Sequence, residues 1–68
     1  MTVNETYHVT GMTCGHCVQA VTGELTRLPG VRHVRVDLAT GQVTVESDGL
    51  VPLDEVRAAV DEAGYALA

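Results

Sequence analysis

The chain of 68 residues has no Phe, no Trp and no Lys, and Tyr occurs only at positions 7 and 65. Its core must therefore come from Val, Leu and Ala, the main contributors to a hydrophobic content of 46%. Side chains of that kind pack well. A chain this short, however, is near the lower limit for one self-sufficient core, which leaves little apolar area for an enclosed substrate cavity. An elaborate active site is not expected.

Long hydrophobic runs are also missing. No stretch approaches the ~20 apolar residues that a membrane-spanning helix needs. The opening segment MTVNETYHV lacks the basic start and apolar stretch of a signal peptide. Two cysteines make no disulfide framework, and such a pair in a cytosolic chain reads as metal-binding or redox-active. A reducing cytoplasm is the expected setting, without membrane insertion. All four basic residues are Arg, at positions 27, 32, 35 and 57, against nine acids and a net charge of −5. That balance excludes the basic footprint of a nucleic-acid binder. The acids either keep a small domain soluble or steer it toward a partner with a basic patch. Asp54, Glu55, Asp61 and Glu62 concentrate on one predicted helix, while Arg27, Arg32 and Arg35 gather around one predicted strand.

What is present punctuates itself into six elements. Val3, Tyr7 and Val9 alternate with polar residues, which predicts a half-buried strand over 3–10 that Gly11 ends. Cys17, Val21, Leu25 and Leu28 recur at helical spacing from Cys14 onward, and Pro29-Gly30 stops that helix. Val34, Val36 and Leu38 predict a second strand, and Val43 and Val45 a third, joined through Thr40-Gly41 as a hairpin. Pro52 opens a second helix whose buried stripe is Leu53, Val56, Val60 and Ala63, with Arg57 placed to pair with Asp61. Gly64 caps it, and Tyr65 to Ala68 form a short last strand. The order strand–helix–strand–strand–helix–strand is the α+β, ferredoxin-like pattern: two helices on one face of a four-stranded antiparallel sheet. One domain over residues 1–68 follows, without linker or repeat.

The chemistry is concentrated in residues 11–17, Gly-Met-Thr-Cys-Gly-His-Cys, which hold both cysteines. Cys17 falls in the first turn of the first helix and Cys14 in the loop entering it. Free backbone N–H groups and the positive end of the helix dipole gather there and favour thiolates. Metal–sulfur bonds of ~2.3 Å let two sulfurs clasp one ion from roughly 4–5 Å apart. Structural zinc asks for four ligands, and beyond two thiols only His16 is near. Soft thiolates in low coordination suit Cu(I), and an open pair admits an incoming thiol before either sulfur leaves. Spacing alone leaves both a metal site and a thiol–disulfide site open. The redox reading lacks the larger fold and substrate groove that such enzymes use.

These seven residues, following a strand, resemble the metal-binding motif of the heavy-metal-associated domain family. Leu28-Pro29-Gly30-Val31, residues 34–38 and 41–45, and Ala63-Gly64-Tyr65 extend the resemblance over the whole chain. Within the family it is similar to free-standing bacterial copper chaperones of the CopZ type. The resemblance implies the fold read above, Cu(I) held by Cys14 and Cys17, and no catalytic turnover. It also implies delivery to the metal-binding domain of a copper-transporting P-type ATPase or to a copper-responsive regulator. Loading by ligand exchange would begin at Cys14, the more exposed thiol.

Three neighbours complete the expected site. Met12 is a soft side chain close to Cys14; the resemblance implies that it packs beneath the loop rather than binding metal. His16 is an exposed loop residue, a cation that lowers the thiolate pKa, or a cap on copper shared in a homodimer. Tyr65 either closes the core edge or shields the metal, since the resemblance places its loop beside the thiols. His8 and His33 alternate with core residues and are expected at the surface. The alternatives to a free chaperone are an excised N-terminal domain of a heavy-metal P-type ATPase and a mercuric-ion carrier. Such carriers usually need the signal peptide that is not seen here.

Overall fold

A computed structural model describes residues 2–68. Six elements follow in the order β1 (Val3–Thr10), α1 (Gly15–Thr26), β2 (Val31–Asp37), β3 (Gln42–Ser47), α2 (Leu53–Glu62) and β4 (Ala66–Leu67). All strand pairings are antiparallel, in the sheet order β2-β3-β1-β4. Both helices cover one face, as the βαββαβ order predicts. No helix is long and apolar enough to cross a membrane among the described residues.

The core is aliphatic. Val9, Val43 and Val45 from the sheet meet Val21 and Leu25 of α1 and Val56 and Val60 of α2. The period-2 pattern of β1 turns Val3, Tyr7 and Val9 inward and leaves Asn4, Thr6, His8 and Thr10 exposed.

Each turn has a local cause. After α1, the Val31 N–H donates to the Leu28 carbonyl at 3.2 Å, and Gly30 between them has φ +86°. Pro29 followed by a positive-φ Gly is the chemistry of a type II turn, so the helix ends at Thr26 rather than at the expected Leu28. The hairpin turn closes through the Gly41 N–H on the Asp37 carbonyl at 2.8 Å. Helix α2 ends in a Schellman arrangement: Gly64 N–H on Asp61 at 2.9 Å and Tyr65 N–H on Val60 at 3.1 Å. Gly64, at φ +93°, supplies the left-handed residue this requires and delivers Tyr65 to the end of β1.

Two expectations for α2 change. Leu53, expected in the buried stripe of the second helix, is 50% exposed. It is the first residue of α2, and the buried stripe starts one turn later with Val56, Ala59 and Val60. Arg57 and Asp61 do not pair; among the described residues the ion pairs are Arg27–Glu24 at 3.6 Å and Arg32–Asp48 at 3.1 Å. Both Arg57 and Asp61 are exposed, where solvation competes with pairing. His8 is at the surface as expected, yet its Nε2 is 2.8 Å from the Thr40 carbonyl, tying β1 to the hairpin loop.

Candidate metal centre

The segment between β1 and α1 carries the two thiols at one end of the sheet. Gly11 leaves β1 at φ +92°, and a Cβ there would lie 3.3 Å from Cδ1 of Tyr65. The missing side chain lets the Tyr65 ring come over the loop. Met12 is half-buried and packs against the core. Thr13 and Cys14 are exposed.

Cys14 is the N-cap of α1, with extended backbone angles of φ −157° and ψ 175°. Its carbonyl accepts from the Cys17 N–H at 3.1 Å and the Val18 N–H at 3.3 Å, so helix entry fixes the spacing between the cysteines. Cys17 lies in the first turn on the same stripe as Val21 and Leu25, and only 6% of it is exposed. Both cysteines are free, and their sulfurs lie 3.6 Å apart. One thiol is therefore anchored in the core edge and the other faces solvent.

Hydrogen-bond donors converge on the anchored sulfur. The Thr13 N–H points to Cys17 Sγ at 3.5 Å, and Thr13 Oγ1 is 3.9 Å from it. The Cys17 thiol is lowered to about 6, chiefly by the Thr13 N–H. The Tyr65 hydroxyl and the Cys14 N–H and thiol add to this, while burial opposes it. Tyr65 is raised in return, first by its hydrogen bond to Cys17, then by burial and the thiolate charges. Favouring a thiolate at the start of a helix is what the sequence predicts. The main donor, a backbone N–H four residues upstream, has no signal in side-chain identity.

His16 is exposed and is not among the groups that act on Cys17. Among the described residues, no three His, Cys, Asp or Glu side chains come together as a metal site. The geometry thus presents two sulfurs with Tyr65 beside them and Met12 below. With metal–sulfur bonds of ~2.3 Å, the present separation fits a bent S–metal–S arrangement. A linear one needs about 4.6 Å between sulfurs, and of the two thiols Cys14 is the exposed one.

Comparison with known proteins agrees with this architecture. Residues 6–66 match the heavy-metal-associated domain. The copper chaperone CopZ of Staphylococcus aureus (strain bovine RF122 / ET3-1) is 39% identical over 62 residues, covering 90% of this chain and 91% of that protein. Copper-transporting ATPase 2 of Rhizobium meliloti (strain 1021) is 41% identical over 64 residues. This chain spans 94% of its own length in that match but only 8% of the transporter's. A solved CopZ metallochaperone superimposes with a TM-score of 0.90 at 36% identity, covering 97% of this chain and 100% of that one. With the fold, the thiol pair at the mouth of α1 and these matches in agreement, the chain belongs to the heavy-metal-associated domain family.

Proposed function

We propose that the protein is a copper carrier that binds Cu(I) through Cys14 and Cys17 and passes it on by thiolate exchange. The observation that carries this is the pair of sulfurs 3.6 Å apart, one buried and one exposed, with no His, Asp or Glu joining them in a three-ligand cluster among the described residues. Low-coordinate soft thiolates select Cu(I) over ions that require four ligands. Cys17, already thiolate-prone, is the anchor. Cys14 is the arm that first meets an incoming ion on loading and first yields on delivery.

Transfer then proceeds without catalytic turnover. A thiolate of the recipient adds to copper, giving a three-sulfur intermediate. The Cys14–copper bond breaks, and Cys14 takes up the proton released by the recipient's thiol. A second recipient thiol then displaces Cys17, which leaves as a thiolate, and that thiol's proton passes to solvent. The named relatives make a metal-binding domain of a copper-transporting P-type ATPase the favoured recipient, with a copper-responsive regulator as the second. Free thiols fit a reducing cytoplasm. Two exposed sites brought face to face would also share copper, making a metal-bridged homodimer.

The match to the Rhizobium meliloti transporter favours a second reading, in which the chain acts as one domain of a larger ATPase. Its thiols would perform the same exchange, and the size of the native polypeptide in cells separates the two. The copper assignment itself is tested by anaerobic competition titration with Cu(I), Zn(II) and Hg(II), followed together with oligomer size. One Cu(I) per chain, retained against a strong chelator, is expected. Preference for Zn(II), or no Cu(I) retention, would refute it.

A further inference from the structure

Glu5 breaks the pattern of the sheet. It alternates with Val3 and Tyr7 and lies opposite Val45 in the β1–β3 ladder, so its side chain is on the helix-covered face. No other charged residue of the strands occupies that face among the described residues. It is half-buried, takes part in neither ion pair, and lies near enough to Tyr7 to help raise that phenol's pKa, after burial.

Its position coincides with an open sheet edge. Strand β1 has eight residues, but β4 pairs only with Val9 and Thr10, extended by the Ala68 N–H on the His8 carbonyl at 2.8 Å. The Val9 N–H turns to Gly41, on the β3 side. Backbone direction alternates along a strand, so the N–H and C=O groups of Asn4 and Thr6 point to the open side, where no strand lies among the described residues. Unpaired edges of this kind are templates for another strand. The opposite edge, β2, is managed by a register shift between Val31 and His33 and by exposed Arg32 and Arg35. The open part of β1 has no bulge, Pro or Lys.

We infer that Glu5 prevents this edge from pairing with the same edge of a second copy. The occupant follows from symmetry. Twofold antiparallel pairing sets Asn4 of each copy against Thr6 of the other and satisfies the backbone groups of both. The same register sets the two Glu5 side chains directly opposite in a non-hydrogen-bonded pair, where facing residues approach most closely. Like charges so placed repel. An inward-pointing charge on an edge strand is one way to block strand addition, and it lies on a part of β1 remote from the thiols.

The test uses metal-free, reduced protein, so that copper bridging plays no part, and measures mass by sedimentation equilibrium over a concentration series. Wild type is expected to be monomeric. Glu5→Val, or Glu5→Thr if the valine variant is insoluble, should associate with an affinity increased by about fivefold, the scale of one cross-strand pair. Amide exchange at Asn4 and Thr6 should slow with it. Glu5→Lys should stay monomeric. Adding Thr6→Pro to Glu5→Val should restore the monomer, because it removes an edge N–H. Monomeric Glu5→Val and Glu5→Thr, association undiminished by Thr6→Pro, or a wild type already paired through β1 would each overturn the inference.

Discussion

The Thr13 backbone N–H faces the Cys17 sulfur at 3.5 Å and is the largest influence holding that thiol near 6. The buried cysteine is therefore ionised at neutral pH before any metal arrives. An ordinary cysteine titrates at about 8.5. Between the two values the unfolded chain binds more protons than the folded one, so stability rises with pH. Metal-free, reduced protein should gain stability from about pH 6 to about 8.5 and lose it as pH falls through about 6. Urea denaturation at pH 5.5 and 8 measures this, and Cys17→Ser should flatten the difference.

Tyr65→Phe removes the side-chain donor to Cys17 while keeping the ring against Gly11. The Cys17 titration should move up toward the ordinary cysteine range with the fold unchanged. Alkylation rate against pH, resolved by mass spectrometry at each cysteine, reads the shift.

Gly41 permits a close crossing. Its φ is +77°, and a Cβ there would lie 2.8 Å from the Val9 carbonyl oxygen. Gly41→Ala should cost about 2 kcal/mol or more from backbone strain and the clash together. Gly23, within α1, has open space around it. Gly23→Ala should stabilise by roughly 0.5–1 kcal/mol through helix propensity. The two denaturation midpoints should move in opposite directions.

Met12 packs against the core. Met12→Ala should lower stability by about 1–2 kcal/mol, less than a fully buried Met truncation. Copper affinity should change little by comparison. A loss confined to affinity would instead make the thioether a ligand.

Much of this was legible because it depends on periodicity and punctuation. The alternation in residues 3–10 and Gly11 after it define β1 to the residue. Cys14 and Cys17 fall at the cap and first turn of α1 because the apolar stripe through Val21 and Leu25 fixes the helix phase. Other features depend on where elements meet in space. Leu53 continues the stripe on paper, but it lies at the helix start and Ala59 takes the buried place. Thr13 acts through its main chain, and Tyr65 reaches the thiols through a helix end that sequence marks only as Gly64. The alternation passes over Glu5, which stands between Val3 and Tyr7 in the inward register; that it lies on an unpaired edge depends on how short β4 is.

The proposed copper site consists of two thiolates and nothing else from this chain. Copper K-edge absorption of anaerobic protein loaded with one Cu(I) per chain tests it most directly. The predicted spectrum shows sulfur neighbours only and is unchanged in His16→Ala. A nitrogen neighbour in wild type that disappears in His16→Ala would contradict the two-sulfur site.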